Sequence, residues 1–289
     1  MTETLPPSPR REAEACYTGY VMRSEDLPPA DRHTLRFRWR EGGEPFEDLA
    51  LEELLLEEGS RGAVLWTYAW PNPVLVLGYG QPPSEVDPAP CLRLGVPILR
   101  RITGGSAVLH EGGRSLSLSL ALPADHPWAR GIHSLYAAFV SAIAEAVGGL
   151  GAEVRPWRPG DGSPRRRSPI CFEDHRGETL LSGGRKVLGC AQTRRRRAVL
   201  VHGALLFGLN APFQARVFGV EPDRILAAMG ALPARPGLDA SSAARAVCRS
   251  CARALGASAV EEAPPELPPA LRARRGDPKW VISPRPAVP

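Results

Sequence analysis

The sequence predicts an α+β fold, and two observations carry that prediction. Candidate strands, rich in β-branched and aromatic residues, lie in groups before and after one long apolar helix instead of alternating regularly with helices. The chain also lacks internal repeats and coiled-coil heptads. At 289 residues, 43% of them hydrophobic, it can bury a substantial core as a single domain with irregular ends.

The first half predicts one helix followed by strands. "PFEDLALEELLLEEG" is an amphipathic helix that ends at Gly59. "AVLWTYAW" and "PVLVLGYGQ" are predicted to be paired strands separated by Pro71–Pro73. "VPILRRI", "SAVLH" and "SLSLSLAL" continue as strands, and the last places Ser and Leu on opposite faces.

The second half begins with the long helix and continues with a meander. In "GIHSLYAAFVSAIAEAVGGLG", Leu135, Phe139, Ile143 and Val147 recur at helical spacing. "TLLSGGRKVLGCAQTRRRRAVLVHGALLF" predicts short antiparallel strands, and "SSAARAVCRSCARALG" predicts a late helix. The polar, proline-rich ends predict a disordered tail over 1–33, a domain over 34–262 and a Pro-rich tail over 263–289.

Charge and cysteine usage limit the class of protein. The net charge is +5, and much of the excess lies in Arg165–Arg167 and Arg194–Arg197. That is mild for a nucleic-acid binder, and the arginines lack interleaved aromatic residues for stacking on bases. No secretory signal or uninterrupted run of about 18 apolar residues occurs. We expect a cytoplasmic protein with reduced thiols and no nucleic-acid or membrane partner.

A glycine turn in "RRITGGSAVLHEGG" is the first candidate for chemistry. Gly104 and Gly105 lack Cβ atoms, so their N–H groups can approach a carbonyl or phosphate oxygen. Arg100 and Arg101 are neighbours on a strand and point to opposite faces, so at most one of them readily faces a pocket at this turn. Two glycines between strands also form ordinary turns, which remains the alternative.

A cysteine in an irregular segment is the second candidate. Cys171 follows Pro-Ile, and Lys186 comes fifteen residues later, after another Gly-Gly turn. An ammonium group close to a thiol favours the nucleophilic thiolate. A partly buried structural cysteine is the competing interpretation. We expect His175 to be a solvated side chain in a charged loop rather than a base. Cys248 and Cys251 fall within a helix and lack a second pair of ligands, so we expect no metal site there.

Taken together, four motifs resemble the lipoate/biotin protein ligase superfamily. They are "RRITGGSAVLHEG", "CFEDHRGE", "GGRKVLGCAQTR" and "VLVHGALL", in this order and at these separations. The closest resemblance is to the cysteine-dependent octanoyltransferases of lipoate biosynthesis. "PFEDLALEELLL", "LVLGYGQ" and "RGDPKW" fit the same pattern, so the resemblance covers about 45 to 260 plus that late segment.

The resemblance implies an α+β catalytic domain with a central mixed β-sheet flanked by helices. It makes Cys171 the nucleophile and Lys186 its activating group. It assigns the acyl pocket to Arg101, Gly104, Gly105 and His110, with His202 organising a strand end. The implied donor is octanoyl-acyl carrier protein, and the implied acceptor is a lysine of a lipoyl domain or of the glycine-cleavage H protein. Since thioester aminolysis is downhill, we expect no cofactor. Both partner classes are acidic, so the arginine runs are candidates for steering them.

Two neighbouring activities stay open, and the motifs contain departures. An ATP-dependent lipoate ligase would use Lys186 and the glycine turn on an acyl-adenylate. An octanoyl relay amidotransferase would take its acyl group from the H protein. Ser106 stands where a third glycine or an arginine is usual, and Glu111 replaces an aspartate. "EDHRGE", after Cys171 and Phe172, also lacks the aromatic residue that commonly follows the nucleophile in this family.

Overall fold

The computed structural model describes residues 31–164 and 167–283, and these form two β-sheets covered by helices. The strands in these ranges are β1 (Thr34–Glu41), β2 (Ala63–Ala69), β3 (Val74–Leu77), β4 (Ile98–Arg100), β5 (Val108–His110), β6 (Ser115–Pro123), β7 (Arg155–Pro156), β8 (Thr179–Ser182), β9 (Arg185–Arg194), β10 (Ala198–Leu206), β11 (Ser258–Glu261) and β12 (Val281–Ser283). The helices are α1 (Pro45–Glu58), α2 (Pro88–Leu94), α3 (Ile132–Gly149), α4 (Ala211–Phe218), α5 (Pro222–Ala228), α6 (Ala240–Leu255) and α7 (Pro269–Arg275). The predicted α+β class is confirmed.

The larger sheet has eight strands in the order β11-β1-β2-β6-β10-β9-β8-β7. β1 pairs in parallel with β2 and β11, and the remaining pairs are antiparallel, so the sheet is mixed. The predicted meander is confirmed as β8, β9 and β10. In β6 the leucines face α3 and α6, while Ser119 faces α1 and is also buried. Both faces of this sheet are therefore covered.

The smaller sheet has the order β12-β4-β3-β5 and corrects one expectation. β2 and β3 are not paired with each other, because β2 lies in the large sheet and β3 in the small one. Pro71 and Pro73 between them have no N–H to donate to a ladder, and the chain changes sheets at this point.

Two apolar cores hold the layers together. The first lies between the large sheet and α3 with α6. The second lies between the two sheets, beneath α1 and α7. α3 is long and apolar enough to satisfy the length and composition of a membrane-spanning helix, but its stripe of Leu135, Phe139, Ile143 and Val147 is buried in the first core.

The C-terminal segment is more structured than its proline content predicts. The expectation of a tail from 263 is wrong as far as residue 283, because α7 packs on α1 and β12 pairs with β4. Arg275 is 2% exposed, with its guanidinium carbon 3.7 Å from the centre of the Trp280 ring. It donates to the carbonyl oxygen of Leu49 at 3.2 Å. The predicted N-terminal tail lies, apart from residues 31–33, outside the described residues.

Candidate active site

The segment containing Cys171 is attached to the segment that follows the glycine turn. The N–H of Cys171 donates to the carbonyl of Ala107 at 2.9 Å, and the N–H of Ala107 donates to Pro169 O at 2.9 Å. Cys171 then begins a 3₁₀ turn, Cys171–Glu173, and its side chain is half-buried. The thiol therefore lies on a short turn that two backbone hydrogen bonds hold beside the glycine turn.

The structure brings Lys186 to Cys171. The Lys186 side chain is 1% exposed, and its Nζ lies 4.0 Å from Cys171 Sγ. Nζ also donates to the carbonyl oxygens of Cys171 at 3.0 Å and Asp174 at 2.7 Å. Two of the three ammonium donors are thus used by the backbone of the Cys171 turn, and the third is available to the sulfur.

An irregularity in β9 aims Lys186 at the thiol. Leu180 pairs with Leu188 and Leu181 pairs with Lys186, so Val187 is an extra residue in β9. Because side chains alternate along a strand, this bulge places Lys186 and Gly189 on the same face, although they are three residues apart. Val187 instead packs in the core under α3.

Gly189 leaves the space in which the lysine and the thiol meet. A Cβ at this position would lie 2.8 Å from Lys186 Cε, 3.1 Å from Nζ and 3.4 Å from Cys171 Sγ. Any side chain here would displace the end of Lys186. The glycine in "KVLG" is therefore required by the site, a role that sequence reasoning did not assign.

The turn is also held from its other side by an ion pair that sequence reasoning missed. Glu173 is 1% exposed and accepts two hydrogen bonds from the Arg224 guanidinium, at 2.5 Å and 2.9 Å. The Ser168 hydroxyl also donates to Glu173 and accepts from the N–H of Ile170 at 3.0 Å. In the sequence, the only sign of this ion pair is an acidic residue two positions after Cys171. Its partner, Arg224, lies 51 positions from Glu173.

His175 is buried rather than solvated, which corrects the expectation from its charged surroundings. It is 4% exposed, and its Nε2 lies 3.2 Å from Phe172 O and 3.1 Å from Ala228 O. Carbonyls only accept, so Nε2 carries a proton. Burial, followed by the charge of Lys186, lowers the pKa of His175. Nε2 is committed to backbone oxygens, which gives this ring a structural role.

Arg101 holds the glycine turn by its carbonyl oxygens. The guanidinium donates to Gly104 O at 2.6 Å and to Ser106 O at 2.9 Å. Burial lowers the Arg101 pKa, while Cys171 has the opposite, smaller effect. Gly105 has φ +87°, a conformation that favours glycine. Within the described part of the chain, the N–H groups of Gly104, Gly105 and Ser106 have no acceptor, so they are candidates to bind a developing oxyanion.

Arg100 binds a second loop, Gly78–Gln81, through its carbonyl oxygens. Gln81 connects this loop to the Cys171 segment. Arg100 Nη1 donates to the carbonyl oxygens of Gly78 at 2.6 Å and Gln81 at 2.7 Å. The Gln81 amide in turn donates to Pro169 O at 3.1 Å. The two arginines thus both bind backbone carbonyls, Arg100 those of Gly78 and Gln81 and Arg101 those of the glycine turn.

His110 lies on β5 of the smaller sheet, and His202 lies on β10 of the larger sheet. His110 is 2% exposed, and its Nδ1 is 3.1 Å from Ser115 Oγ. Its ring packs edge-on against Trp70, with the two ring centroids 4.9 Å apart. Burial, with smaller contributions from the charges of His202 and Arg101, lowers the pKa of His110 to about 3. His110 is therefore neutral at physiological pH.

His202 is oriented by a buried carboxylate that the sequence did not single out. Its Nδ1 lies 2.6 Å from Glu52 Oε1, which also accepts from Ser119 Oγ at 2.6 Å and from Tyr68 OH at 3.0 Å. Burial raises the pKa of Glu52, but His202 and the two hydroxyl donors outweigh it and leave that pKa lowered. His202 lies opposite Ala191 on β9, diagonally across from Gly189.

The other candidate sites are structural. Cys248 and Cys251 are buried in the core on α6, where burial raises the pKa of Cys248 to about 11. Over residues 31–164 and 167–283, His, Cys, Asp and Glu side chains form no group of three or more that could hold a metal ion. Of the first arginine run, Arg165 and Arg166 lie outside the described residues.

Known structures share this fold. A putative lipoate protein ligase from T. acidophilum with bound lipoic acid matches with a TM-score of 0.67 and 22% identity, over 84% of this chain and 94% of that one. Lipoate-protein ligase A bound with ATP matches with a TM-score of 0.68 and 23% identity, over the same shares. The predicted ligase-type catalytic fold, with its mixed sheet and flanking helices, is confirmed.

Sequence relatives identify the family. Octanoyltransferase LipM of Moorella thermoacetica is 34% identical over 174 residues, 58% of this chain and 63% of the relative. The LipM of Carboxydothermus hydrogenoformans is 37% identical over 180 residues, 59% and 64% of the two chains. The chain thus spans a little under two thirds of the length of these curated relatives. Residues 44–228 match the lipoyl protein ligase A/B catalytic domain. This range contains the Cys171 turn and Lys186. The chain belongs to the lipoyl protein ligase A/B catalytic domain family.

Proposed function

We propose that the chain is an octanoyltransferase that carries an octanoyl group on Cys171 during protein lipoylation. The donor is octanoyl-acyl carrier protein, and the acceptor is a specific lysine of a lipoyl domain or glycine-cleavage H protein. The observation that carries this proposal is the buried Lys186 ammonium 4.0 Å from Cys171 Sγ. The similarity to LipM octanoyltransferases supports the same acyl group.

In the first step the Cys171 thiolate attacks the thioester carbonyl of the donor. The new C–S bond forms at Cys171, the carrier's C–S bond breaks, and the carrier leaves as a thiolate that takes up a proton. The N–H groups of Gly104–Ser106, which have no acceptor among the described residues, are suited to stabilise the oxyanion, because Arg101 fixes carbonyls of the same turn. This exchange of one thioester for another needs no nucleotide.

In the second step the neutral amine of the acceptor lysine attacks the Cys171 thioester. An amide C–N bond forms, the C–S bond breaks to give the Cys171 thiolate, and the proton released by the amine passes to solvent water. Lys186 stabilises the departing thiolate as it stabilised the attacking one, since its ammonium is held in place by the carbonyls of Cys171 and Asp174. We place the reaction in the cytoplasm, where thiols such as the free Cys171 remain reduced.

The test is transfer of octanoate from octanoyl-carrier protein to an apo lipoyl domain, without ATP. We expect turnover by the unchanged chain and a loss of at least about 10²-fold in Cys171→Ser and Lys186→Ala. Cys190→Ala is the matched control, because burial raises the pKa of this neighbouring thiol and withholds it from the chemistry.

Three outcomes would overturn the proposal. Full activity in Cys171→Ser would remove the covalent step. Modification of the lipoyl domain from free octanoate or lipoate only when ATP is present would identify a ligase. Transfer from octanoylated H protein, but not from carrier protein, would identify a relay amidotransferase.

A further inference from the structure

One end of β9 presents cationic side chains around an exposed apolar residue. Arg194–Arg197 are all exposed at the turn into β10, and Arg130 is exposed at the end of the 3₁₀ turn Pro127–Arg130. Between these elements Ile132, the first residue of α3, is 53% exposed. We call Arg130, Ile132 and Arg194–Arg197 the β9 arginine surface. An apolar centre with a charged rim is typical of a protein-binding site.

Hydrogen bonds fix this surface to the domain. Arg194 donates to Ala129 O and, at 3.0 Å, to Gln192 Oε1. Gln192 Nε2 donates to the carbonyl of Ile132 at 3.1 Å, which joins β9 to the start of α3. The N–H of Ala124 donates to Arg197 O at 3.0 Å, and the adjacent Asp125 already pairs with Arg32 at 2.7 Å. The Arg194 side chain and the backbone of the β9–β10 turn are therefore attached to the domain, and the nearby Asp125 carboxylate pairs with Arg32.

The length of β9 gives the separation between this surface and the residue beside the thiol. Gly189, against which Cys171 Sγ lies, precedes Arg194 by five residues on the same strand. At 3.3 to 3.4 Å per residue, the Cα of Arg194 lies roughly 17 Å along the strand from the Cα of Gly189. The strand edge between them is not covered by β8, which begins opposite Gly189.

The two acidic partners differ in how far their reacting groups reach. An acceptor lysine reaches only about 6 Å from its Cα, since its side chain advances through five single bonds of roughly 1.5 Å. A phosphopantetheine arm has about thirteen such bonds between its phosphorus and its sulfur and reaches roughly 16 Å. A carrier whose arm-bearing residue lies at Arg194–Arg197 could therefore deliver its thioester to Cys171, whereas an acceptor protein must bring its lysine backbone to within about 6 Å of the acyl group.

We propose that the β9 arginine surface is the docking site of the acyl carrier protein, with Ile132 at its apolar centre. This inference rests on the proposed function and adds where the donor binds. Acidic residues of the carrier pair with the arginines while its arm lies along the open edge of β9. Because exposed charges act over about 10 Å at 0.1 M salt, most of the effect falls on the rate of association.

The test measures octanoylation of Cys171 by quenched intact mass spectrometry, with two donors. Octanoyl-carrier protein has both arm and protein, whereas octanoyl-pantetheine has the arm alone. We expect Arg196→Glu combined with Arg197→Glu to lower the second-order rate from the carrier at least about 10-fold at low salt. The loss should shrink at high salt, and the rate from octanoyl-pantetheine should stay within about twofold. Ile132→Asp should also slow the carrier reaction alone.

The matched control is Arg93→Glu combined with Arg216→Glu, the same charge change at exposed positions on α2 and α4. Its rate with the carrier should stay close to that of the unchanged chain. An unchanged carrier rate in the Arg196/Arg197 variant, or an equal loss in the control, would overturn the docking site. A defect confined to transfer onto the lipoyl domain would assign the surface to the acceptor instead. Failure of both donors to acylate the unchanged chain would overturn the proposed function itself.

Discussion

Lys186 is bound to the backbone of the Cys171 turn as well as lying beside its sulfur. Its Nζ is 3.0 Å from Cys171 O and 4.0 Å from Cys171 Sγ, so one ammonium group both shapes the turn and faces the thiol. The hydrogen bond to Asp174 O, at 2.7 Å, completes this arrangement. Positioning and electrostatic activation are thus joined in one side chain.

Replacing Lys186 tests these two contributions. Lys186→Met keeps the apolar stem but removes the charge, so alkylation of Cys171 by iodoacetamide at pH 7 should slow at least about 10-fold. It also leaves two carbonyls without their donor, which should cost about 1 to 3 kcal/mol of unfolding free energy. Lys186→Arg retains a cation and should recover part of the alkylation rate. Equal alkylation rates in all three proteins would show that the ammonium does not activate the thiol.

Gly189→Ala tests the space around the lysine. The added Cβ would meet Lys186 Cε at 2.8 Å, and because this is the end of a flexible side chain, Lys186 moves instead of the backbone. We expect a loss of transferase kcat of about 10-fold or more with a melting temperature within a few degrees of the unchanged chain. Gly148→Ala on α3, where a Cβ meets nothing within 4 Å, is the control and should keep full activity. Full activity in Gly189→Ala would contradict this geometry.

The Glu173–Arg224 pair should couple the turn to α5. Arg224→Met leaves a buried carboxylate without its cation, and because the Arg224 side chain is 31% exposed we expect a cost of about 1 to 3 kcal/mol. Glu173→Gln together with Arg224→Met should cost less than the sum of the two single changes, as chemical denaturation can measure. Strict additivity would show that the ion pair does not hold the turn.

His110 predicts a specific pH dependence of stability. Burial lowers its folded pKa to about 3, while an unfolded histidine has a pKa near 6.5, so the unfolded chain binds the extra proton between these values. Stability is therefore lost as pH falls from about 6.5 towards 3, by roughly 2 kcal/mol at pH 5 relative to pH 8. The difference in unfolding free energy between the unchanged chain and His110→Gln should shift by that amount. Its independence of pH would contradict a neutral, buried His110.

The sequence was informative where signals are local. The periodic leucines and alanines of α1, α3 and α6, and the strands of the meander, follow from patterns within a few residues. Cys171 and Lys186 were identified as a pair from their chemistry, but their contact depends on the bulge at Val187. A bulge leaves no clear mark in a sequence, because either neighbour of Lys186 could have been the extra residue.

Long-range partners account for what the sequence missed. Glu52 looks like one of several acids in an amphipathic helix, and only the tertiary fold places it against His202, 150 positions away. The segment after 262 has the composition of a tail, but Trp280 and Arg275 stack on each other and bury themselves against α1. Composition indicates whether a segment can fold by itself. It does not indicate whether another part of the protein offers a surface on which the segment packs.

The most direct test is the mass of the protein itself. Octanoyl-carrier protein is mixed with the chain in the absence of acceptor and ATP, quenched in acid and measured intact, and the site is then mapped by peptide fragmentation. We expect one octanoyl group on Cys171, which is transferred to the acceptor lysine as an amide when an apo lipoyl domain is added. The absence of any adduct, or an octanoyl group stably attached to another residue, would contradict it.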